Sequence, residues 1–141
     1  MKILVIDGMG GGIGKAIVER LVREKRDYSI LAAGTNAIAT SAMHKAGADQ
    51  AASGENAIVY NCSRVDVIIG SFGIVLANSM LGEITPPIAE AISSSEAVKI
   101  LIPTSKCNAH IVGLRELPTA HYIDEIPEII RTNVRKKMEQ T

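Results

Sequence analysis

The sequence predicts an α/β domain with a doubly wound parallel sheet of about five strands. Short apolar runs alternate along the chain with amphipathic segments of helical period, which is typical of strand–helix–strand units. Five glycines within residues 8–14 separate the first apolar run from the first amphipathic segment. At 141 residues, the chain is expected to form one domain, residues 1–141.

The strands are predicted from short apolar runs. Residues 3–6 form a continuous run rich in β-branched side chains, as expected for a parallel strand that is buried on both faces. In chain order, the predicted strands cover residues 3–6, 28–33, 48–52 (at an edge), 65–70 and 98–102, with a last short strand at 111–114. Right-handed crossovers predict the strand order 3-2-1-4-5, which places ligands between strands one and four.

The first three helices are predicted from the spacing of apolar residues and from capping signals. The apolar face of the first helix consists of Ile13, Ile17, Val18, Leu21 and Val22. Thr35 or Asn36 can cap a second helix that ends near Gly47, because their side-chain oxygens accept hydrogen bonds from backbone N–H groups. A third, short helix is expected at residues 55–63.

The second half of the chain contains signals for three more helices. Residues 74–81 are apolar on nearly all sides and predict a short helix that is buried or lies at an interface. The next helix begins with Thr85 as its cap and Pro86 in its first turn. Asp124 is predicted to cap the final helix, with Pro127 in its first turn. Helices on both faces of the sheet give a Rossmann-like three-layer sandwich.

The glycine cluster lies between a predicted strand and a predicted helix, where free N–H groups and the helix dipole bind anions. Gly8, Gly12 and Gly14 show the spacing G-x-x-x-G-x-G. This spacing resembles the cofactor loop of short-chain dehydrogenases and implies NAD(P) or another nucleotide as the ligand. The predicted ligand-binding residues are Gly8, Gly10, Gly11, Gly12, Ile13, Gly14, Thr35, Asn36 and Ser71. The alternative is that the glycines only permit a tight turn.

The residues after the second strand indicate which nucleotide binds. An acidic residue about 20 positions after the glycines would hold the ribose hydroxyls of NAD. The sequence has Thr35 and Asn36 there, with neither an acid nor an arginine. At the start of a second helix these two residues could hold a phosphate, which favours NADP or a mononucleotide over NAD. A magnesium-dependent phosphate loop is not expected, because Ala16 replaces the hydroxyl that would bind magnesium.

Several polar side chains are candidates for a site near this loop. The candidates are Asp7, Lys15, Asn78, Glu83 and Cys107. Asp7 ends the first strand, so loop N–H groups or Lys15 must neutralise it, or it contacts the ligand. Asn78 interrupts an apolar segment and either pairs internally or faces the ligand crevice. Lys106 could lower the pKa of the Cys107 thiol and produce a reactive thiolate.

No catalytic residue is predicted from these motifs. Short-chain dehydrogenases carry Tyr-x-x-x-Lys, but no tyrosine of this chain has a lysine four residues later. The three histidines lack metal-ligand spacing, and the nucleophile motif G-x-S-x-G is absent from the sequence. The likeness to short-chain dehydrogenases therefore implies a loop geometry and not an activity.

Composition limits the expected partners. Fifteen Lys and Arg balance fifteen Asp and Glu, whereas a nucleic-acid binder usually carries a basic excess. No apolar run reaches the 18 residues expected of a membrane-spanning helix. Cys62 and Cys107 are far apart in sequence and are expected to be reduced thiols. We therefore expect a cytoplasmic protein with no nucleic-acid or membrane partner.

Four motifs along the chain carry a wider resemblance. The stretches "IDGMGGGIGKAI", "GTNAIAT", "GENAIVYN" and "ANSMLGEITP" resemble those of a small bacterial family known only as a domain of unknown function. The resemblance spans most of the chain. It implies a compact Rossmann-like protein, and it implies no reaction and no catalytic residues.

Three functions remain open at this point. The first is a nucleotide-binding sensor or regulator that takes a small phosphate-bearing ligand. The second is a small enzyme, oxidoreductase-like or acting on a phosphorylated substrate, with a site shared across a dimer. The third is a structural subunit whose glycine loop is only a turn. A homodimer is expected in any case, because the apolar side chains of residues 72–81 exceed what one sheet face can cover.

Overall fold

The central sheet is entirely parallel. The computed structural model describes residues 1–24 and 27–140. The strands are β1 (Lys2–Asp7), β2 (Ser29–Gly34), β3 (Gln50–Ser53), β4 (Val67–Ser71) and β5 (Val98–Ile102). They pair in the order β3-β2-β1-β4-β5, with β3 and β5 at the edges. The predicted fold class and the predicted strand order are confirmed.

Helices cover both faces of this sheet. They are α1 (Gly12–Arg23), α2 (Ala37–Lys45), α3 (Glu55–Cys62), α4 (Pro86–Ser94), α5 (Thr119–Ile129) and α6 (Arg135–Glu139). A π-helical turn, Ile130–Val134, joins α5 to α6. The helices α1, α2 and α5 share one apolar core with the sheet, and α3 and α4 share the other. Within the described residues, no helix is both long and apolar enough to cross a bilayer.

Strand β1 lies at the centre of the molecule because both of its faces and both of its edges are covered. Ile3 and Val5 point into the core beneath α1, while Leu4 and Ile6 point into the core beneath α3 and α4. All four side chains are fully buried. This strand ends in the glycine loop at the carboxyl edge of the sheet. The loop lies between β1 and β4, where the order in which strands are added to the sheet reverses.

The helix predicted over residues 74–81 is wrong. Phe72–Val75 forms one 3-10 turn, and residues 76–84 form a tight loop, called here the 76–84 loop. Asn78, Met80 and Leu81 have φ angles of 66°, 55° and 55°, which a right-handed helix of L-residues cannot contain. The loop is closed by a 2.6 Å hydrogen bond from the Asn78 N–H to the Ile84 carbonyl. The short apolar segment is therefore a compact turn anchored by a buried isoleucine.

Two further predictions fail near the carboxyl end of the described chain. Residues 111–114 form a turn, in which the Leu114 N–H donates to the Ile111 carbonyl, instead of a strand. The last long helix begins at Thr119 and not after Asp124, which lies exposed within it and pairs with Arg20 at 3.1 Å.

Pro127 consequently lies inside α5 and not in its first turn. Proline has no N–H, so the carbonyl four residues earlier loses its helical donor. The π-helical turn begins three residues after this proline, and such turns and prolines are the usual sites of helix irregularity. The buried side chains of Ile123 and Ile126 keep the helix on the sheet despite the irregularity.

Candidate functional site

The glycine loop turns tightly between β1 and α1. The Gly11 N–H donates to the Gly8 carbonyl at 3.0 Å, and Gly11 itself has a φ of 76° as the residue that precedes α1. A Cβ at Gly11 would lie 2.8 Å from Ala39 Cα. A Cβ at Gly14 would lie 2.6 Å from Met43 Sδ. Both glycines therefore serve the close packing of α1 and α2.

Asp7 braces this loop from below. Its carboxylate accepts hydrogen bonds from the Gly8 N–H at 2.8 Å and from the Gly14 N–H at 2.6 Å. Burial raises the pKa of the Asp7 carboxyl above its usual value, and the Gly14 and Gly8 N–H groups oppose that effect. Two loop N–H groups thus bind the carboxylate, which agrees with the interpretation that loop N–H groups neutralise Asp7. Lys15 does not pair with the Asp7 carboxylate. Its side chain is exposed, and its Nζ lies 4.0 Å from Glu19 Oε1.

Other N–H groups of the loop remain available. Within residues 1–24 and 27–140, the N–H groups of Gly10, Gly12 and Ile13 donate to no protein acceptor. A Cβ at Gly10 or Gly12 would meet nothing within 4 Å. The first turn of α1 therefore presents free donors, together with the positive end of the helix dipole, to open space.

That open space is a cleft of about 440 Å³. Its floor is the glycine loop together with Ser71 at the end of β4. One wall is the 76–84 loop, represented by Ser79 and Met80, and the other is the turn after β5 with Thr104 and Lys106. The cleft opens at the carboxyl edge of a parallel sheet beside its reversal point, where ligands of such sheets bind.

Ser71 is the exceptional polar group of this cleft. The side chain is only 2% exposed. Among the described residues, it is the buried side chain whose oxygen has no hydrogen-bond partner. Leaving a buried hydroxyl unpaired costs about 1–3 kcal/mol, so each such group in a folded protein calls for an explanation.

A second polar cluster lies on the β2 side of the glycine loop. Glu83 Oε1 accepts hydrogen bonds from Thr35 Oγ1 at 2.6 Å, Asn36 Nδ2 at 2.7 Å and the Met9 N–H at 3.1 Å. The bond from Thr35 is the largest influence that lowers the pKa of the Glu83 carboxyl below its usual value. Asn36 also caps α2 through the Ala39 N–H, as predicted. The cluster fastens the 76–84 loop to the ends of β1 and β2.

The two cysteines have different surroundings. Cys107 lies on the wall of the cleft, and its Sγ donates to the Thr104 carbonyl at 3.3 Å. Cys62 is buried beneath α4, and burial raises the pKa of its thiol to about 11. Both are free thiols. No three His, Cys, Asp or Glu side chains within the described residues are grouped closely enough to hold a metal ion.

The cleft brings together eight of the predicted site residues. These are Asp7, Gly8, Gly10, Gly11, Gly12, Ile13, Ser71 and Cys107. Gly14 and Lys15 lie in α1 away from the opening, Gly14 in packing contact and Lys15 over a groove between α1 and α2. Thr35 and Asn36 are engaged with Glu83, and Asn78 is exposed beyond the cleft lining.

The predicted set of site residues lacks several residues that line the cleft, among them Gly73, Met80 and Thr104. Gly73 and Thr104 lie two residues after the ends of β4 and β5, so their positions at the ligand edge could have found them. Met80 was assigned to an interface helix, although "NSMLGE" carries an asparagine and a glycine that signal a turn. The apolar character of the segment hid that turn signal.

These features define the class of protein: a Rossmann-like α/β domain with an open cleft over its glycine loop. The family model described as Domain of unknown function (DUF3842) matches residues 2–135, and the chain belongs to that family. The resemblance carried by the four sequence motifs is thereby confirmed.

Comparison with characterised proteins adds little. No curated protein sequence matches the chain. Among solved structures, glutamyl-tRNA reductase from Methanopyrus kandleri is similar, with 14% sequence identity and a TM-score of 0.46. The match covers 99% of this chain and 39% of the reductase chain, so this chain spans well under half of that length.

Proposed function

We propose that the protein binds a nucleotide or another small phosphate-bearing ligand in the cleft over the glycine loop and acts as a sensor or regulator. The single observation that carries this proposal is Ser71, a buried hydroxyl with no partner in the described chain. A ligand oxygen at this position pairs the hydroxyl and removes its desolvation cost. A glycine loop that served only as a turn would not need this group.

Electrostatics support an anionic ligand. The free N–H groups of Gly12 and Ile13 and the dipole of α1 favour negative charge at the cleft floor. Lys106 adds a cation on the opposite wall. Asp7 opposes an anion less than an isolated carboxylate would, because two backbone N–H groups already bind it.

A binding role accounts for the lining better than catalysis does. Both oxygens of Asp7 accept hydrogen bonds from the loop, and no base among the described residues is hydrogen-bonded to Ser71 to activate it. Cys107 is the one observation that favours the alternative of a small enzyme, since its sulfur lines the cleft beside Lys106. Turnover of any bound nucleotide, abolished by Cys107→Ser, would support that alternative.

The test is calorimetric titration of AMP, GMP, CMP, UMP and inorganic pyrophosphate into wild type and two variants. Gly12→Val fills the open space over the free N–H groups without meeting any neighbour, so binding is expected to fall at least about tenfold in a folded protein. Ala37→Val is the matched control, because Ala37 is also the exposed first residue of a helix. Unchanged affinity in folded Gly12→Val contradicts the proposal.

A further inference from the structure

The chain itself fills the space above the first glycine of the loop. A Cβ built on Gly8 would lie 2.9 Å from Met80 Sδ, 2.9 Å from Thr35 Oγ1 and 3.4 Å from Glu83 Oε1. The Thr35 and Glu83 atoms lie on the β2 side of the loop, and Met80 lies between them and the cleft that it lines. A Cβ on Gly10 or Gly12, by contrast, meets nothing within 4 Å. The surface over the glycines is therefore half open and half occupied.

The occupied half is where a dinucleotide would place one of its nucleosides. In dinucleotide-binding sheets of this topology, the pyrophosphate lies on the first helix and the adenosine ribose is held at the end of the second strand. Here that position holds the Glu83 carboxylate, bound by Thr35, Asn36 and the Met9 N–H. Met80 lies beside it over Gly8.

The 76–84 loop is fixed in this place at both ends. The Ser79 hydroxyl donates to the Gly73 carbonyl, and the Ile84 N–H donates to the Ser79 carbonyl at 3.2 Å. Ile84 is fully buried beneath α4, and Glu83 fastens the same segment to β2. The cover over Gly8 is thus a packed element of the fold and not a loose side chain.

From this arrangement we infer, on the basis of the proposed function, that the ligand is a phosphate monoester no larger than a mononucleotide, and that Met80 and Glu83 exclude dinucleotides. The phosphate binds at the first turn of α1. The rest of the ligand extends toward Ser71 and the turn after β5, within the open cleft of about 440 Å³. That volume is at the lower end of the range of small-molecule sites.

If Glu83 instead bound the ligand, the measured affinities would differ. If Glu83 served as the missing acid that receives the ribose hydroxyls of NAD, wild type would bind NAD at least as tightly as a monophosphate. Glu83→Gln would then weaken NAD binding, because a carboxylate accepts hydrogen bonds from both hydroxyls. The three donors already on Glu83 Oε1 and the sulfur over Gly8 argue against this arrangement.

The test compares NAD with the tightest binder among AMP, GMP, CMP and UMP by calorimetry. Wild type is expected to bind the monophosphate at least about tenfold more tightly than NAD. Met80→Gly clears the space over Gly8 and suits the φ of 55°, so the ratio of NAD affinity to monophosphate affinity is expected to rise at least about tenfold. Glu83→Ala is a second variant with the same expected direction.

Asn78→Gly is the matched control for this test. Asn78 has a φ of 66° in the same loop but lies outside the cleft lining, so the variant makes the same backbone change without clearing the space over Gly8. The ratio of affinities is expected to stay at its wild-type value. NAD binding by wild type as tight as monophosphate binding, or an unchanged ratio in both Met80→Gly and Glu83→Ala, overturns the inference and leaves the proposed function standing. Absence of binding by every monophosphate and by NAD overturns the inference, and absence of binding by inorganic pyrophosphate as well overturns the proposed function too.

Discussion

At the scale of single residues, the site is built from three polar groups whose surroundings differ. Asp7 is buried and fully paired with backbone donors, and Glu83 is held at the surface of the loop by three donors. Ser71 is buried and unpaired. Asp7 and Glu83 hold the backbone around the cleft in place. Ser71 lowers the stability of the fold, because its hydroxyl makes no hydrogen bond with the described chain.

This contrast predicts a trade between stability and binding at Ser71. Ser71→Ala removes the unpaired hydroxyl, so the free energy of unfolding without ligand is expected to stay the same or rise by about 1–3 kcal/mol. Mononucleotide affinity is expected to fall in the same variant. Urea unfolding and calorimetry measure the two quantities. A variant that loses stability and keeps its affinity contradicts the assignment of Ser71 to the ligand.

Glu83 predicts a pH-dependent fastening of the 76–84 loop. The pKa of its carboxyl is lowered from 4.5, so the stability it contributes is present above pH 4.5 and is lost as the pH falls through the lowered pKa. Glu83→Gln keeps an oxygen acceptor but cannot titrate. We expect melting temperatures measured from pH 6 down to pH 3 to fall less steeply in Glu83→Gln than in wild type. Parallel curves count against this role.

The two thiols are expected to react at different rates. Burial raises the pKa of Cys62 to about 11, which leaves almost no thiolate at neutral pH, whereas Cys107 lines the open cleft. N-ethylmaleimide is expected to label Cys107 first, as measured by peptide mass spectrometry. A bound mononucleotide should slow that labelling several-fold and leave Cys62 unaffected. Equal labelling of both thiols, or no protection, contradicts the placement of ligand beside Cys107.

At the scale of elements, the regular strands could be predicted from sequence and the 76–84 loop could not. Strands such as β1 can be predicted because a continuous apolar run is typical of a strand that is buried on both faces. Ile74 in the 3-10 turn and Ile84 at the end of the loop are both buried, although the chain between them contains several left-handed residues, so the apolar residues follow the core and not a helical period. Each left-handed residue other than glycine costs about 1–2 kcal/mol, and only tertiary contacts reveal what offsets that cost.

The same reasoning explains which parts of the site could be predicted from the sequence. The glycine loop directly follows β1 and Ser71 is the last residue of β4, so topology alone places them at the ligand edge. The pairing of Glu83 with Thr35 joins residues 48 apart through a loop whose shape no local signal encodes. A carboxylate therefore reaches the end of β2 from a distant part of the chain, which a scan of local motifs cannot detect.

That pairing gives a prediction for the loop as an element. Thr35→Asp places a second carboxylate within hydrogen-bond distance of Glu83, and the repulsion should release the 76–84 loop from β2. Amide hydrogen exchange of the loop is expected to speed up in Thr35→Asp, while Thr35→Ser, which retains the hydroxyl, exchanges at the wild-type rate. Identical exchange in all three proteins contradicts the fastening role of Glu83.

At the scale of the whole molecule, the apolar surface is unevenly distributed. Most large apolar side chains are buried in the two cores, but Leu81 is 94% exposed in the 76–84 loop, and Val112 is 98% exposed in the turn at residues 111–114. The loop conformation explains why the segment 72–81 does not expose apolar groups on every side, since Ile74 is buried within the chain. The exposed side chains of Leu81 and Val112 are the apolar surface that a partner could cover.

A homodimer stays a prediction on this basis. We expect sedimentation equilibrium at micromolar concentration to give about twice the 15.0 kDa of one chain, and we expect Leu81→Glu to dissociate the dimer by charging its interface. Ile38→Glu is the control, because Ile38 is 72% exposed on α2. A monomer in wild type, or dissociation by Ile38→Glu and not by Leu81→Glu, contradicts the predicted assembly or its location.

The central position of β1 also constrains the order in which the polypeptide can mature on the ribosome. This strand precedes every partner, yet one of its edges pairs with β2 and the other with β4, whose residues 67–71 are translated much later. At about 5–20 residues per second, the second edge waits several seconds with its peptide groups unpaired. The nascent chain therefore carries an unpaired strand edge until residues 67–71 have been translated, which is the interval in which a chaperone has most to protect.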